Sequence, residues 1–188
     1  MIPQKGVIWI ITGPREVGKT RFCMELLKRG RSKGVKVAGI LSPAGFENGV
    51  KQTINIENAQ TSEQKVLATL RKDENTGILT NRWAFDADAL LWGSKILADA
   101  LPCDLFFIDE LGLLEFSRGE GWQEGLKALD SRKFTTAVIV IRPELLTVAA
   151  SRWKDAKVLE IPPNMSFQVT QDFVDWIVGK SSARLSDT

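Results

Sequence analysis

The sequence contains no histidine. Histidine is the side chain that most often titrates near neutral pH and the commonest metal ligand. Its absence excludes imidazole metal sites, histidine general bases and serine–histidine–acid triads. Cysteine is scarce: Cys23 and Cys103 are the only two. They fall in segments that read as helix interior and strand edge. Two reduced, buried thiols of a cytoplasmic protein are expected there, not a disulfide framework. An excess of either charge is missing too, since 25 basic and 23 acidic residues leave a net +2. Nucleic acid is therefore not indicated, because a domain that binds it usually carries a broad basic face. No apolar run approaches the ~20 residues that span a bilayer. The stretch "GVIWII" at 6–11 is shorter than the roughly 7–15 residues of a secretory core. No membrane association is expected.

What is present suits one domain of 188 residues, with 44% hydrophobic content to build a core. Apolar runs rich in β-branched residues alternate with helical patterns, which is the signature of an α/β protein. Strands are expected at 6–12, 35–42, 103–110, 135–142 and 156–162. The first helix follows the first strand, with Phe22, Cys23, Leu26 and Leu27 on one face and Gly30 and Gly34 as stop signals. A second helix over 86–101 has Asp86 as N-cap and an apolar face of Leu90, Leu91, Ile96, Leu97 and Leu101. Further helices are expected around Trp122 to Leu129, from Pro143 onward, and over 166–180. Between the second strand and the second helix, residues 44–83 read as a β-rich insertion. Asn48-Gly49 there is a strong hairpin signal. Residues 181–188 read as a frayed tail.

The segment Gly13-Pro14-Arg15-Glu16-Val17-Gly18-Lys19-Thr20 satisfies GxxxxGK[ST] at a strand-to-helix junction. Such a loop wraps phosphates with its backbone N–H groups, and glycine permits close approach. The helix that follows adds its positive N-terminal end. Lys19 is placed to reach the β and γ phosphates, and the Thr20 hydroxyl to bind Mg²⁺. The loop from Gly13 through Thr20, with Arg21 beside it, is thus the candidate nucleotide site. Four apolar residues in "LFFIDE" then lead to Asp109 and Glu110. An aspartate at the end of a buried strand is the usual second metal ligand of phosphate-loop enzymes. A glutamate beside it is positioned to orient or deprotonate a water.

These motifs resemble the cancer-related nucleoside-triphosphatase family. The resemblance rests on "GPREVGKT", on "IDELGLLEF", on the hairpin after the second strand and on "VIVIRPELL". It covers about residues 5–162. It implies a RecA-like, three-layer sandwich with a mainly parallel five-stranded core sheet of order 5-1-4-3-2 and a small β-hairpin insertion. It also implies slow, Mg²⁺-dependent hydrolysis of ATP, GTP and other nucleoside triphosphates, with little discrimination between bases. The chain departs from the family where Glu16 replaces a glycine and Arg21 a threonine. The insertion, arginine-bearing in the family, offers only Lys51 over its first hairpin.

Several side chains have two readings. Arg142, at the carboxyl end of a strand expected beside the phosphate loop, either reaches the γ-phosphate as a catalytic group or is a solvated strand-end residue. Arg118 and Arg152 are weaker candidates for the same task. Glu115 either buttresses the metal shell or caps local backbone. Glu16 either points outward and pairs with Arg15, or weakens nucleotide binding by repulsion. Asn164, in "IPPN" after the last strand, is the positional candidate for a base contact. A small nucleotide or metabolite kinase shares the phosphate loop and is the alternative enzyme. A module whose slow hydrolysis times contact with a protein partner is the alternative of another class.

Overall fold

The computed structural model describes residues 5–74, 77–163 and 167–182. Four apolar runs form parallel strands, β1 (Val7–Thr12), β2 (Val37–Leu41), β7 (Cys103–Leu111) and β8 (Phe134–Ile141), and a fifth parallel strand, β9 (Lys157–Glu160), is a largely exposed edge and not the core strand expected. Across the sheet they lie in the order β9, β1, β8, β7, β2. β1 aligns with β8 from Val7 opposite Thr136 to Ile11 opposite Val140, and β7 aligns with both β8 and β2. Every residue of β8 is buried. Strands covered on both faces need apolar side chains pointing both ways, which is why they read as unbroken runs.

Alternate residues feed two cores. Ile8, Ile10, Phe106, Ile108, Ala137 and Ile139 pack against α2 (Ala87–Ala98), α3 (Gln123–Ser131) and α4 (Leu146–Arg152). Ile11, Leu105, Phe107, Val138 and Val140 pack against α1 (Lys19–Ser32) and α5 (Phe167–Ser182). Burying one such side chain contributes about 1.5–3 kcal/mol. The result is a three-layer sandwich. Its polar business is confined to the strand ends.

The region after β2 is larger than the small hairpin expected. β3 (Ala44–Glu47) and β4 (Val50–Asn58) do form a hairpin, turning at Asn48 (φ 51°) and Gly49 (φ 77°). Positive φ at both turn positions matches the twist of paired strands. But β4 also pairs antiparallel with β2, and β5 (Gln64–Leu70) and β6 (Trp83–Phe85) continue outward from it. The insertion is therefore an antiparallel extension of the main sheet.

Other details depart from expectation or bear it out. Gly30 lies within α1, buried against Leu105 and Val37, and the chain turns instead at Gly34 (φ 70°). Leu91 is 70% exposed and falls outside the buried face of Ala89, Leu90, Gly93 and Leu97. Asp86 caps α2, its carboxylate accepting from Ala89 N at 2.7 Å. Pro143–Leu145 form a 3₁₀ turn before α4. Cys23 and Cys103 are buried and unpaired. α5 reaches Ser182, into the expected tail, while residues 183–188 lie outside the described residues. Among the described residues, no helix is long and apolar enough to cross a membrane.

Candidate active site

The loop from Gly13 to Gly18 joins β1 to α1, and two glycines make its path accessible. Gly13 has φ 135°, and a Cβ there would sit 2.5 Å from the Ile161 carbonyl oxygen. Gly18, just before α1, has φ 98° with open space around it, so backbone geometry alone favours glycine. Ile161 N donates to Thr12 O at 2.8 Å, which ties the segment after β9 to the base of the loop.

Lys19 is 8% exposed, and its Nζ donates to the carbonyl oxygens of Gly13 (2.9 Å) and Pro14 (2.6 Å). Burial lowers its pKa, while the Glu110 and Asp109 carboxylates oppose that shift. Pro14, Arg15, Glu16 and Arg21 are exposed; Val17 and Thr20 are partly buried. Glu16 is exposed, and among the described residues it makes no ion pair with Arg15. The expected pairing is absent.

Asp109 is 2% exposed near the end of β7. Its Oδ2 accepts from Ser42 N at 3.2 Å, and the Ser42 hydroxyl donates to its carbonyl oxygen. Burial and then the neighbouring Glu110 push its pKa up to about 7, against hydrogen bonds from Thr20 and Ser42 and the charge of Lys19. A buried carboxylate beside a threonine hydroxyl is a hard oxygen-donor pair. Among the described residues no group of three acids, histidines or cysteines could hold a metal unaided. Mg²⁺ is commonly bound through one or two protein oxygens with phosphates and water completing its shell, and the Asp109 carboxylate and Thr20 hydroxyl supply such oxygens. The residues present fit that ion.

Glu110 projects beside Asp109, and Arg142 Nε donates to its Oε1. Their side chains are 30% and 38% exposed, so the pair lies at the lip of the site. Arg142 also contributes to the field at Lys19. The adjacency of β7 and β8 brings the two together, and Arg142 is no isolated surface residue. Arg118 bonds the Leu79 carbonyl, and Arg152 pairs with Asp130, so both weaker arginine candidates are engaged elsewhere. Glu115 is buried and caps backbone: its carboxylate accepts from Gly112 N at 2.7 Å and Trp122 N at 2.9 Å. It shapes the turn that follows the acids. Asn164 lies outside the described residues.

Two further participants have no role that the sequence pattern assigns. Ser42 reaches Asp109 because β2 and β7 are neighbours, which the local pattern around "ILS" does not reveal. Lys51, on β4, sits in the field of Glu110, Asp109 and Glu16. Only the pairing of β4 with β2 carries it there.

Known proteins resemble this chain in sequence and in fold. A nucleoside-triphosphatase THEP1 from Caldivirga maquilingensis is 26% identical over 130 residues, which are 69% of this chain and 73% of that protein. Another THEP1, from Korarchaeum cryptofilum, is 28% identical over 107 residues, which are 57% of this chain and 55% of that protein. The solution structure of a human cancer-related nucleoside triphosphatase superposes with a TM-score of 0.68 at 18% identity, covering 95% of this chain and 98% of that one. The crystal structure of THEP1 from Aquifex aeolicus gives 0.66 at 16%, covering 91% and 99%. At these identities the two solved structures establish a shared fold. The sequence model of the NTPase family matches residues 8–171, and the chain belongs to that family.

Proposed function

We propose that the protein hydrolyses nucleoside triphosphates, ATP and GTP among them, to diphosphate and phosphate with Mg²⁺ and little base selection. The observation that carries this reading is the buried Asp109 facing Thr20 and Lys19, with Glu110 next along the strand. Thr20 and Asp109 would hold Mg²⁺, which when bound would supply positive charge to the phosphates. Lys19 exchanges its two loop carbonyls for phosphate oxygens. Glu110 accepts a proton from water as the water oxygen bonds to the γ-phosphorus. The bond from that phosphorus to the bridging oxygen breaks, and the diphosphate leaves. Arg142 holds Glu110 in place and meets charge that develops on the phosphoryl group.

The candidate base contact is Asn164, which follows the exposed Pro162 and Pro163 after β9. Hydrolysis is favoured over transfer to an acceptor because the insertion is hydrogen-bonded into the sheet through β2 and β4. It is not built as a free lid.

The test is phosphate release across ATP, GTP, CTP, UTP and the deoxynucleotides with Mg²⁺, with Lys19→Ala as control. Release from all of them, lost in a folded Lys19→Ala protein, is expected. Unchanged rates in that variant overturn the phosphate-loop assignment. Consumption that rises sharply only when a hydroxyl acceptor is added makes the protein a kinase.

A further inference from the structure

Lys51 lies one residue into β4, opposite Phe46 across the β3–β4 hairpin. Its ammonium is 5.3 Å from the centroid of the Trp83 ring, and the Arg82 guanidinium lies 5.3 Å from the same ring. Trp83 is 8% exposed on β6, so the ring is a fixed platform. A lysine stem laid on such a ring has fewer places to put its charge.

The charges that act on Lys51 are Glu110 first, then Arg82, Asp109 and Glu16. The carboxylates belong to two elements, the end of β7 and the tip of the phosphate loop. The ammonium therefore lies within electrostatic reach of both elements. Among the described residues it makes no hydrogen bond and no ion pair with any of them. A half-buried ammonium without an acceptor carries a desolvation cost that an arriving anion offsets.

Lys19 and the loop amides serve the phosphates nearest the loop. In the reaction proposed above the terminal phosphate lies against Asp109 and Glu110, the two carboxylates whose field reaches Lys51. We propose that Lys51, brought in by the antiparallel extension and braced on Trp83, binds the terminal phosphate and so distinguishes a nucleoside triphosphate from a diphosphate. This rests on the nucleoside-triphosphatase reading. Lys51 is then a specificity-determining residue supplied from outside the parallel core.

The experiment is equilibrium binding of a non-hydrolysable triphosphate and of the diphosphate, each with Mg²⁺, to wild type, Lys51→Met and Lys51→Arg. Methionine keeps an unbranched stem on the ring and removes the charge. Triphosphate affinity should fall about 10- to 100-fold in Lys51→Met, the range for a charge-assisted hydrogen bond. Diphosphate affinity should stay within about two-fold, and Lys51→Arg should recover most of the loss. Equal weakening for both nucleotides, or no weakening for either, overturns the assignment. If Lys51→Met does not fold, as judged by its thermal transition, Lys51→Gln takes its place with the same expectations. Wild-type triphosphate affinity in a Lys51 variant, alongside active wild type and inactive Lys19→Ala, sinks this inference alone. A wild type that binds neither nucleotide and releases no phosphate sinks both.

Discussion

In the parallel half of the sheet all eight residues of β8 are buried, and β7 is buried from Leu105 through Asp109. In the antiparallel half, β3 is half-buried to exposed, and only Ile56 and Glu57 of β4 are buried. Phe46, Val50 and Val66 stand in solvent there. The parallel half holds its polar groups at strand ends against a packed core, where small displacements are resisted. The exposed positions of the antiparallel half exchange side chains at little cost to packing, whereas Ile56, Leu67, Ala68, Trp83 and Ala84 are buried. Chemistry of a single kind is suited to the first, and tuning of that chemistry to the second. Substitutions in the parallel half should therefore change rate or stability strongly, and those at the loop tip and in the extension should act mainly on selectivity.

The largest effect is expected at the lip of the parallel half. Glu110→Gln keeps size and hydrogen bonding but loses the proton acceptor. Turnover should fall by roughly 10²–10⁴ with nucleotide affinity little changed, the mark of a group acting in the transition state. Arg142→Ala should also lower turnover. The double variant tells what Arg142 does. If it acts only by holding Glu110, its removal costs nothing further in the Glu110→Gln background. If it also meets the phosphoryl group, a further loss remains. Steady-state phosphate release and equilibrium binding on the four proteins decide it. Wild-type turnover in Glu110→Gln ends its assignment as the base.

Asp109 gives an effect of middle size, seen in stability. Its folded pKa is about 7 against an ordinary 3.8, chiefly because burial penalises the charged form. Below about pH 4 the carboxyl is protonated in both folded and unfolded chains. Between there and pH 7 only the folded chain keeps the proton, so this group's contribution to stability falls as pH rises. The slope is at most about 1.4 kcal/mol per pH unit. Asp109→Asn should abolish hydrolysis yet raise the thermal midpoint, by a margin that grows from pH 4 to pH 7 and then levels. Melting curves for both proteins without divalent cation measure it. A margin constant across that range means that the carboxylate is not penalised by burial.

The contrast between the halves also sets how much of the molecule is legible in its sequence. Strands such as "LFFIDE" and "TTAVIVIR" are legible because burial on both faces demands apolar residues, and the chemistry follows directly in the chain. Asn48-Gly49 is legible because a two-residue turn is a local matter. The pairing of Ile40 with Asn58 is not, since it joins β2 to β4 across the intervening β3 and neither segment advertises its neighbour. The same holds for the contact between Arg142 and Glu110, which needs β7 beside β8. Glu115 suits a metal or a cap equally well by its place in the chain. Its burial under the turn from Gly112 to Trp122 decides for the cap. Lys51 stands out in the chain only as a departure from a pattern, because its position depends on three strand pairings in succession.

The smallest effect is expected at the tip of the phosphate loop. Glu16 has φ 63°, a left-handed conformation that costs a residue with a side chain about 1–2 kcal/mol. Glycine removes that strain, but a freer unfolded chain takes back about 0.4–1 kcal/mol. Glu16→Gly should therefore change stability by roughly 1 kcal/mol or less. Its carboxylate is exposed, and exposed charges are screened over about 8 Å at physiological salt. Removing it should tighten triphosphate binding by only about two- to five-fold at low salt, with the gain fading as salt is added. Glu16→Gln separates the two causes, because it removes the charge and keeps the backbone constraint. If the gain belongs to the charge, both variants show it equally; if it belongs to the backbone, only glycine does. A gain above about tenfold in Glu16→Gln would mean that the carboxylate faces the phosphates. The loop tip would then join Lys51 in reading the terminal phosphate, with the opposite sign.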